Sequence, residues 1–289
     1  MRPTLFEVFG YAFNAYPTML GLAFITGTLL ASRSSERFGG GYALNPQVGI
    51  WAFLGALIGA KAFYILQYRS PQDIWRALLI WQPGLVYYGG LLGGLGAVAI
   101  CLRIQKAPLL KIGDIGALYL PLGQAITRIG CFLNGCCWGT TCSMPWCVRF
   151  PPGSNAFNQH VRAHLITRNA EASLPVHPTQ LYMMLGLLVV FAIQWAYLRR
   201  KRFDGALCLS YMVLYGLLRF VVEFYRADSA RSLWGLTVSQ AISAALIGSG
   251  LAGFAAVTLW ARLCPSSRPP KAERIEGPAA NPTTAERED

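Results

Sequence analysis

The sequence predicts an all-helical membrane protein with about seven transmembrane helices and an outer, periplasmic insertion between helices four and five. Two observations support this fold class. Hydrophobic residues make up 54% of the 289 residues and charged residues only 13%, whereas a soluble domain carries about 25% charged residues. Apolar runs near or above about 18 residues, long enough for a membrane span, recur along the chain.

Residues 1–14 carry aromatic side chains and predict a short interfacial segment. The predicted spans follow at residues 17–31, 48–68, 85–102, 115–133, 179–198, 206–222 and 238–263. A long polar insertion, residues 135–176, separates the fourth span from the fifth. We therefore expect residues 1–264 to form one transmembrane domain. Residues 265–289 are rich in Pro, Ala, Glu and Arg and predict a disordered cytoplasmic tail.

The basic residues predict the orientation of the chain. The run at residues 199–202 lies between the fifth and sixth spans and is the strongest positive-inside signal. With this run in the cytoplasm, the basic loops at residues 33–37 and 103–111 and the C-terminus are cytoplasmic too. The N-terminus and the insertion then lie outside. The end of span four, the start of span five and the end of span six are therefore expected to meet at the outer surface.

Several function classes are excluded by the sequence. The formal net charge is +12, but in a membrane protein most basic residues set topology, so no nucleic-acid partner is expected. The sequence contains no zinc-ribbon spacing, phosphate loop or dinucleotide fingerprint, and no cofactor is expected. Glu7 and Asn14 interrupt the N-terminal segment, which therefore does not resemble a removable signal peptide.

Three charged residues near the end of span six share one helix face. Arg219, Glu223 and Arg226 are spaced i, i+4 and i+7, so Glu223 can pair with either arginine. One interpretation is an interfacial ion-pair ladder whose side chains reach water. The other is a phosphate clamp, because an arginine fork binds phosphate oxygens in pairs and Glu223 can orient one guanidinium.

Arg128 lies near the end of span four and is followed by a glycine-rich turn that ends at Gly139. The arginine either reaches water at the interface or serves a functional site, since charge is costly at membrane depth. The glycine density favours a site because it indicates a close backbone turn. Asn134, in the same turn, either donates to a phosphate or ester oxygen or caps the turn.

Polar groups also mark the start of span five. His177 precedes a proline that suits a first helical turn, so a helix start at the interface and a functional site are both open interpretations. Gln180 and Tyr182 add polar groups near the same surface.

Spans two and three carry weaker signals. Tyr88 opens span three and is either an interfacial aromatic residue or a catalytic one. The glycines at residues 89–94 predict tight packing of span three against another helix. Lys61 lies in the middle of span two, where it requires a partner or a water-filled cavity.

Five of the eight cysteines fall within 17 residues on the predicted outer side, where disulfides persist. They are Cys131, Cys136, Cys137, Cys142 and Cys147. Two disulfides with one thiol left over, a metal site and a reactive thiol are the open interpretations. The histidines are not at ligand spacing, so no metal is expected.

In these motifs the sequence resembles the prolipoprotein diacylglyceryl transferase family, over roughly residues 15–262. The family signature Gly-Arg-x-Gly-Asn-Phe-x-Asn-Gly-Glu-x-x-Gly is matched by Arg128, Gly130, Phe132, Asn134, Gly135 and Gly139. The family motif His-Pro-Ser-Gln-Leu-Tyr-Glu is matched by His177, Pro178, Gln180, Leu181 and Tyr182. The family motif Arg-x-x-x-Glu-x-x-Arg is matched in full by Arg219, Glu223 and Arg226.

The sequence departs from the family mainly at groups that handle protons. Tyr88 stands where the family has a histidine proposed as catalytic base. Cys131 replaces the signature asparagine and Cys136 the signature glutamate. Met183 replaces the glutamate after the His-Pro motif, and Lys61 replaces an arginine.

The resemblance implies an enzyme of the bacterial inner membrane. It moves a diacylglyceryl group from phosphatidylglycerol to the lipobox cysteine of a prelipoprotein and forms a thioether. The implied partners are phosphatidylglycerol, the prelipoprotein signal peptide and membrane lipid. The expected catalytic residues are Arg128, Arg219, Glu223, Tyr88 and His177. The expected substrate-binding residues are Arg226, Asn134, Gly139, Gln180, Tyr182 and Lys61.

Two other functions remain open at this stage. A divergent relative using another acceptor or headgroup would employ the outer cysteines, and a free, essential thiol at Cys131 or Cys136 would favour it. A non-catalytic lipid-binding protein or transporter would need a continuous polar path, yet Lys61 is the only deep ionisable residue in the cytoplasmic halves of the predicted spans.

Overall fold

The computed structural model describes residues 4–8, 11–38, 44–67, 87–227, 231–233 and 235–263. Its helices are α1 (Ala15–Phe38), α2 (Gln47–Gln67), α3 (Tyr87–Ile104), α4 (Leu109–Asn134), α5 (Asn155–Arg162), α6 (Thr179–Leu198), α7 (Ala206–Glu223) and α8 (Val238–Leu263). Its strands are β1 (Thr4–Val8), β2 (Tyr11–Asn14), β3 (Arg231–Leu233) and β4 (Leu236–Thr237). The predicted disordered tail at residues 265–289 lies outside the described residues.

The described chain is mostly helical, and each of the seven predicted spans coincides with a helix. Within the described residues, five helices are long and apolar enough to cross a membrane: α1, α2, α6, α7 and α8. Large apolar side chains cover their outward surfaces and that of α3; Leu20, Ile58 and Leu95 are 44%, 68% and 60% exposed. Such a surface suits lipid rather than water. The chain is therefore a multi-pass membrane protein, as the sequence predicts.

Two details differ from the sequence predictions. The chain is not all-α, because β1 and β2 form an antiparallel hairpin over the predicted interfacial segment, with Phe6 and Phe13 stacked 4.9 Å apart. The first helix does not end at Ala31 but continues to Phe38. Its extra turns are held by tertiary contacts, since Ser34 hydrogen-bonds Tyr119 of α4 and Ser35 Oγ accepts the N–H of Leu44 at 2.6 Å.

Helix α4 is the centre of the packing. It contacts α1, α6 and α7, while α7 packs against α8 and α2 against α3. In the α2–α3 pair, Gly89 and Gly93 face Gly59 and Gly55 so closely that an added Cβ atom at any of them would overlap the opposite backbone or side chains. The tight packing predicted from the glycines of span three is confirmed.

A buried carboxylate fixes the start of α7. Asp114 of α4 is 1% exposed. Its oxygens accept the backbone N–H groups of Gly205, Leu207 and Cys208 at 2.9, 2.9 and 3.1 Å and the ammonium of Lys201 at 3.0 Å. Asp114 thus caps α7 from a neighbouring helix, because the first N–H groups of a helix have no partner within it. Sequence analysis missed this residue because the predicted span begins one residue later.

The segment between α4 and α6 has a small core of its own. The core consists of Trp138, Phe150, Ala156 and Val176. Thr141 and Val148 form β-bridges to Val176, and α5 lies within the segment. The predicted polar insertion is therefore folded, and its core supports the turn that follows α4.

We expect this segment to lose stability on acidification. Burial lowers the pKa of His160 below its ordinary value, and His160 Nδ1 accepts the N–H of Leu174 at 3.3 Å. Below pH about 6.5 the unfolded chain binds more protons at this residue than the folded chain, so stability falls as pH falls. Hydrogen exchange at Leu174, corrected for the intrinsic pH effect, should quicken below that pH.

The matched control is the exposed histidine of the same segment. His164→Gln should leave the acid-dependent exchange at Leu174 intact, whereas His160→Gln should remove most of its pH dependence. Equal acid sensitivity in His160→Gln and the parent chain would contradict the assignment.

Candidate functional site

The end of α7 carries a buried ion-pair cluster. Glu223 Oε2 lies 2.9 Å from Arg219 Nη2 and 3.7 Å from Arg226 Nε, and the Glu223 side chain is fully buried. Glu223 Oε1 accepts the hydroxyl of Thr237 at 2.8 Å. One carboxylate thus holds both guanidinium groups of the motif in fixed positions.

Arg226 does not lie on the helix as the sequence predicts. Helix α7 ends at Glu223, and Arg226 follows in a turn whose N–H groups bond back to residues 221–223. Arg226 forms a β-bridge with Gly139 of the turn after α4. This bridge draws the chain out of the helical path and brings the end of α7 against the end of α4.

Arg128 belongs to the same charged cluster. It lies in the last turns of α4, and its guanidinium interacts electrostatically with those of Arg219 and Arg226. Three guanidinium groups and one carboxylate give this cluster a net positive charge. Such an arrangement attracts an anion, above all one with several oxygens such as a phosphate.

Three buried polar atoms, on α7, on α6 and in the turn after α4, have no hydrogen-bond partner within the described part of the chain. They are Arg219 Nη1, Trp138 Nε1 and Gln180 Oε1. Because a buried polar group without a partner is costly, such atoms are expected where a ligand supplies the missing bond. Of the three atoms, Arg219 Nη1 most clearly indicates a ligand position. The same guanidinium is held at Nη2 by Glu223 and by Ser239, the latter at 3.0 Å, so Nη1 is a donor in a fixed place.

The glycine-rich turn is built for close backbone approach. Gly135 ends α4 in the left-handed region with φ 68°. Gly139 donates its N–H to His177 O at 2.9 Å, and a Cβ atom on Gly139 would lie 2.5 Å from Tyr225 O. Only glycine fits there. Gly139 therefore joins the ends of α4 and α7 to the start of α6.

The start of α6 holds the same turn from the other side. Thr179 Oγ1 donates to Cys137 O and Gln180 Nε2 to Cys136 O, both at 2.7 Å. Gln180 is 1% exposed. Gln180 thus positions the turn with its amide nitrogen, while its amide oxygen has no hydrogen-bond partner among the described residues.

His177 lies in an aromatic cluster. Its Nδ1 is 3.0 Å from the Tyr182 hydroxyl, and the ring centroids of His177 and Tyr225 are 5.2 Å apart. Trp146 Nε1 donates to the Tyr182 oxygen at 2.8 Å. The Tyr182 hydroxyl thus joins the indole of Trp146 to the imidazole of His177. His177 also borders a groove of about 430 Å³ lined by residues 141–144.

Two predicted site residues are not brought to this cluster by the described contacts. Lys61 is 6% exposed in α2, with its ammonium 6.0 Å from the Tyr64 ring centroid, on the helix that packs chiefly against α3. Tyr88 lies in the first turn of α3, but its side chain is outside the described residues. The remaining predicted residues lie on the converging ends of α4, α6 and α7.

Sequence analysis missed the residues of β4 and α8 that complete the ion-pair cluster. Thr237 bonds Glu223, Ser239 bonds Arg219, and Gln240 Oε1 accepts the N–H of Thr237 at 3.0 Å. The sequence signal that could have pointed to them is the group of polar residues at the start of the last apolar span, α8. Nothing in the spacing alone pairs them with α7.

The five clustered cysteines form one disulfide rather than two among the described residues. Cys142 is bonded to Cys147, whereas Cys131, Cys136 and Cys137 are free. Asn134 hydrogen-bonds the Cys136 thiol. Hydrogen bonds from Cys131 and Cys136 lower the pKa of the Cys137 thiol below its ordinary range, and the charges of nearby arginines act in the same direction.

Comparison with known proteins identifies the family. The model of the prolipoprotein diacylglyceryl transferase family matches residues 3–256. A phosphatidylglycerol–prolipoprotein diacylglyceryl transferase of Nitratidesulfovibrio vulgaris is 33% identical over 254 residues, covering 83% of this chain and 87% of the relative. The protein of the same name from Pasteurella multocida is 30% identical over 248 residues, covering 83% and 84%. The chain therefore belongs to the prolipoprotein diacylglyceryl transferase family.

Proposed function

We propose that this chain moves a diacylglyceryl group from phosphatidylglycerol to the cysteine thiol of a prolipoprotein. The relatives carry the name of this reaction. A carbon–sulfur bond forms between the glyceryl carbon and the cysteine, and the bond from that carbon to the phosphate oxygen breaks. Glycerol phosphate leaves, and the thiol proton passes to that phosphate or to solvent.

One observation supports this function most directly: a buried arginine with an unused donor. Arg219 is fixed at Nη2 by Glu223 and Ser239, while Nη1 has no hydrogen-bond partner among the described residues. When the carbon–oxygen bond breaks, the phosphate gains a negative charge. A donor held in place beforehand stabilises that charge without reorganising during the reaction.

The other charged groups have distinct proposed roles. Arg128 stabilises the leaving phosphate with Arg219, while Glu223 and Arg226 hold the geometry. His177 supplies a further donor to the phosphate oxygen that leaves the glyceryl carbon. Tyr88, at the position of the family's histidine, is proposed to relay the thiol proton. A thiol of pKa about 8.5 needs only about 2 kcal/mol to ionise at neutral pH, so a strong base is not required.

The substrate-binding residues fall into two groups. Gly139 and Gln180 shape the turn beside the phosphate, and Asn134 and Tyr182 hold groups that border it. Lys61, buried in the α2–α3 pair, is proposed to bind the phosphatidylglycerol substrate.

We further propose seven crossings with the N-terminus outside and the C-terminus in the bacterial cytoplasm. The basic run at residues 199–202, in the α6–α7 loop, supports this orientation. In the proposed orientation, residues 135–176 lie in the periplasm, where a prolipoprotein signal peptide presents its cysteine. Residues 1–264 then form the transmembrane domain and residues 265–289 a cytoplasmic tail.

The test is a lipidation assay with purified protein, phosphatidylglycerol vesicles and a lipobox peptide. We expect thioether formation by the parent chain and a loss of about 100-fold or more in Arg219→Ala, the effect of removing one donor to a developing anion. Mass spectrometry of the peptide gives the product directly.

Arg103→Ala is the matched control, because Arg103 is an exposed arginine at the far end of an apolar helix. It should retain near-parental activity. The function is disproved if the parent chain forms no thioether, or if Arg219→Ala is as active as Arg103→Ala.

The free thiols support a second candidate, a relative that uses another acceptor. Cys131, Cys136 and Cys137 lie unbridged beside the proposed phosphate site. The same assay separates the two functions: a peptide with serine in place of the lipobox cysteine should stay unmodified, and modification of that peptide would favour the second candidate.

A further inference from the structure

Three free cysteines converge at the C-terminal end of α4. Cys131 lies on the last turns of the helix and is 4% exposed, and Cys136 and Cys137 are part-buried in the turn that follows. The three sulfur atoms all lie within 4.8 Å of one another. The transferase chemistry proposed above uses none of these thiols.

The surrounding scaffold fixes this arrangement. The left-handed Gly135 turns the chain back, so that the N–H and thiol of Cys136 both bond Cys131 O, at 3.1 and 3.6 Å. Cys137 adopts a positive φ of 61°, which is unusual for a side-chain residue. The buried Thr179 and Gln180 hold the carbonyl groups of both turn cysteines. Groups that hold ligands in place in this way are typical of metal sites.

The sulfur spacing suits a small metal ion. Metal–sulfur bonds of about 2.3 Å in a planar three-sulfur site require sulfur–sulfur distances of about 4 Å. The sulfur–sulfur distances, which are at most 4.8 Å, would have to shorten by less than about 1 Å to reach this value. Thiolates select soft ions such as Cu⁺ and Zn²⁺, and no histidine is needed among the ligands. Zn²⁺ would keep a water in its fourth position.

The charge of the surroundings also fits. Three thiolates around a monovalent or divalent ion leave a net negative charge on the centre. Arg226 and Arg128 lie close enough to act electrostatically on Cys137. Two guanidinium groups therefore offset the charge that such a centre would carry within a part-buried region.

We propose that Cys131, Cys136 and Cys137 form a site for one thiophilic d¹⁰ metal ion, Cu⁺ or Zn²⁺, bound through three sulfur atoms. Each thiol releases its proton to solvent as its metal–sulfur bond forms, and no oxidant is involved. The sequence predicted no metal because the histidines are not at ligand spacing, but the three sulfurs provide the ligands without them.

The first test is metal stoichiometry. Purified full-length protein, kept without oxygen so that the three thiols stay reduced while the Cys142–Cys147 disulfide stays intact, is incubated separately with Zn²⁺ and with Cu⁺, freed of excess ion and analysed for bound metal. We expect about one ion per chain with at least one of the two ions. Cys131→Ser and Cys137→Ser should each weaken metal binding more than about tenfold. Changing a group that only supports a metal ligand already weakens binding by about tenfold or more, and these variants remove a ligand itself. Cys101→Ser and Cys208→Ser, which remove free cysteines elsewhere in the chain, should bind as the parent does.

A second measurement needs no variant. Bound ion should slow alkylation of Cys131, Cys136 and Cys137, read by peptide mass spectrometry, and leave alkylation of Cys101 and Cys208 unchanged. The proposal is overturned if neither ion binds stoichiometrically to the reduced protein, if Cys131→Ser and Cys137→Ser bind as tightly as the parent, or if the three thiols react at the same rate with and without metal.

Discussion

Replacing Glu223 with alanine is expected to lower transfer activity about a thousandfold. The buried carboxylate holds Arg219 at 2.9 Å and Arg226 at 3.7 Å and accepts the Thr237 hydroxyl at 2.8 Å. Removing one partner of a buried ion pair costs about 3–5 kcal/mol, because the other charge loses its compensation. If this cost appears as lost stabilisation of the transition state by Arg219, about 4 kcal/mol lowers the rate about a thousandfold.

The measurement is kcat and KM for thioether formation, with thermal unfolding recorded in parallel. Glu223→Gln keeps an acceptor for Thr237 and the shape of the side chain but loses the charge, so it should fold and still lose most of its kcat. Glu36→Ala removes an exposed carboxylate on α1 and is the matched control. A folded Glu223→Gln variant with parental kcat would show that the carboxylate charge does not orient the arginines.

Coupling between Glu223 and Arg219 gives a sharper criterion. If Glu223 acts through Arg219, the double variant Arg219→Ala/Glu223→Ala should be little worse than the poorer single variant, because both changes remove the same interaction. Losses that multiply would mean that the two residues act independently and would contradict the positioning role.

The helices of this chain were predictable from sequence because lipid demands long apolar runs with internal hydrogen bonds. The meeting of the ends of α4, α6 and α7 followed from basic-residue topology, and the bonds of Gly139 to His177 and of Thr140 to Tyr225 join those ends. The prediction that was wrong concerns the local structure at the end of α7. Arg226 leaves the helical face because a bridge to Gly139 outweighs continuation of α7. Spacing alone cannot reveal such a contact between distant segments.

The cysteines also show that spacing in the sequence does not reveal which side chains meet in the fold. Counting left three interpretations open, namely two disulfides with one thiol left over, a metal site and a reactive thiol, since pairing depends on where side chains lie in space. The αL turn at Gly135 instead brings Cys136 and Cys137 to Cys131, while the nearby Cys142 and Cys147 bond each other. Asp114 was missed for a related reason. Its charge lies at the edge of an apolar run, and only the fold shows that it caps another helix.

Asp114→Ala is expected to destabilise the fold by about 3–5 kcal/mol, the cost of removing one partner of a buried, hydrogen-bonded charge. Three N–H groups at the start of α7 lose their acceptor, and Lys201 loses one of two carboxylate partners. Burial by itself would lower the pKa of Lys201, but the charge and hydrogen bonds of Asp114 and Asp204 outweigh burial and raise it. Thermal unfolding in detergent should show the loss as a clear fall in midpoint temperature.

Asp204→Ala is the matched control, because Asp204 pairs with the same lysine at 3.1 Å but is 19% exposed and follows it by three residues. Its loss should cost no more than about 1 kcal/mol. Helix α7 is 18 residues long, or about 27 Å at 1.5 Å per residue, so Asp114 and Glu223 act on opposite ends of it. Asp114→Ala should therefore lower stability while the folded fraction keeps a near-parental KM. Equal destabilisation by Asp114→Ala and Asp204→Ala would show that Lys201, rather than the helix cap, accounts for the effect.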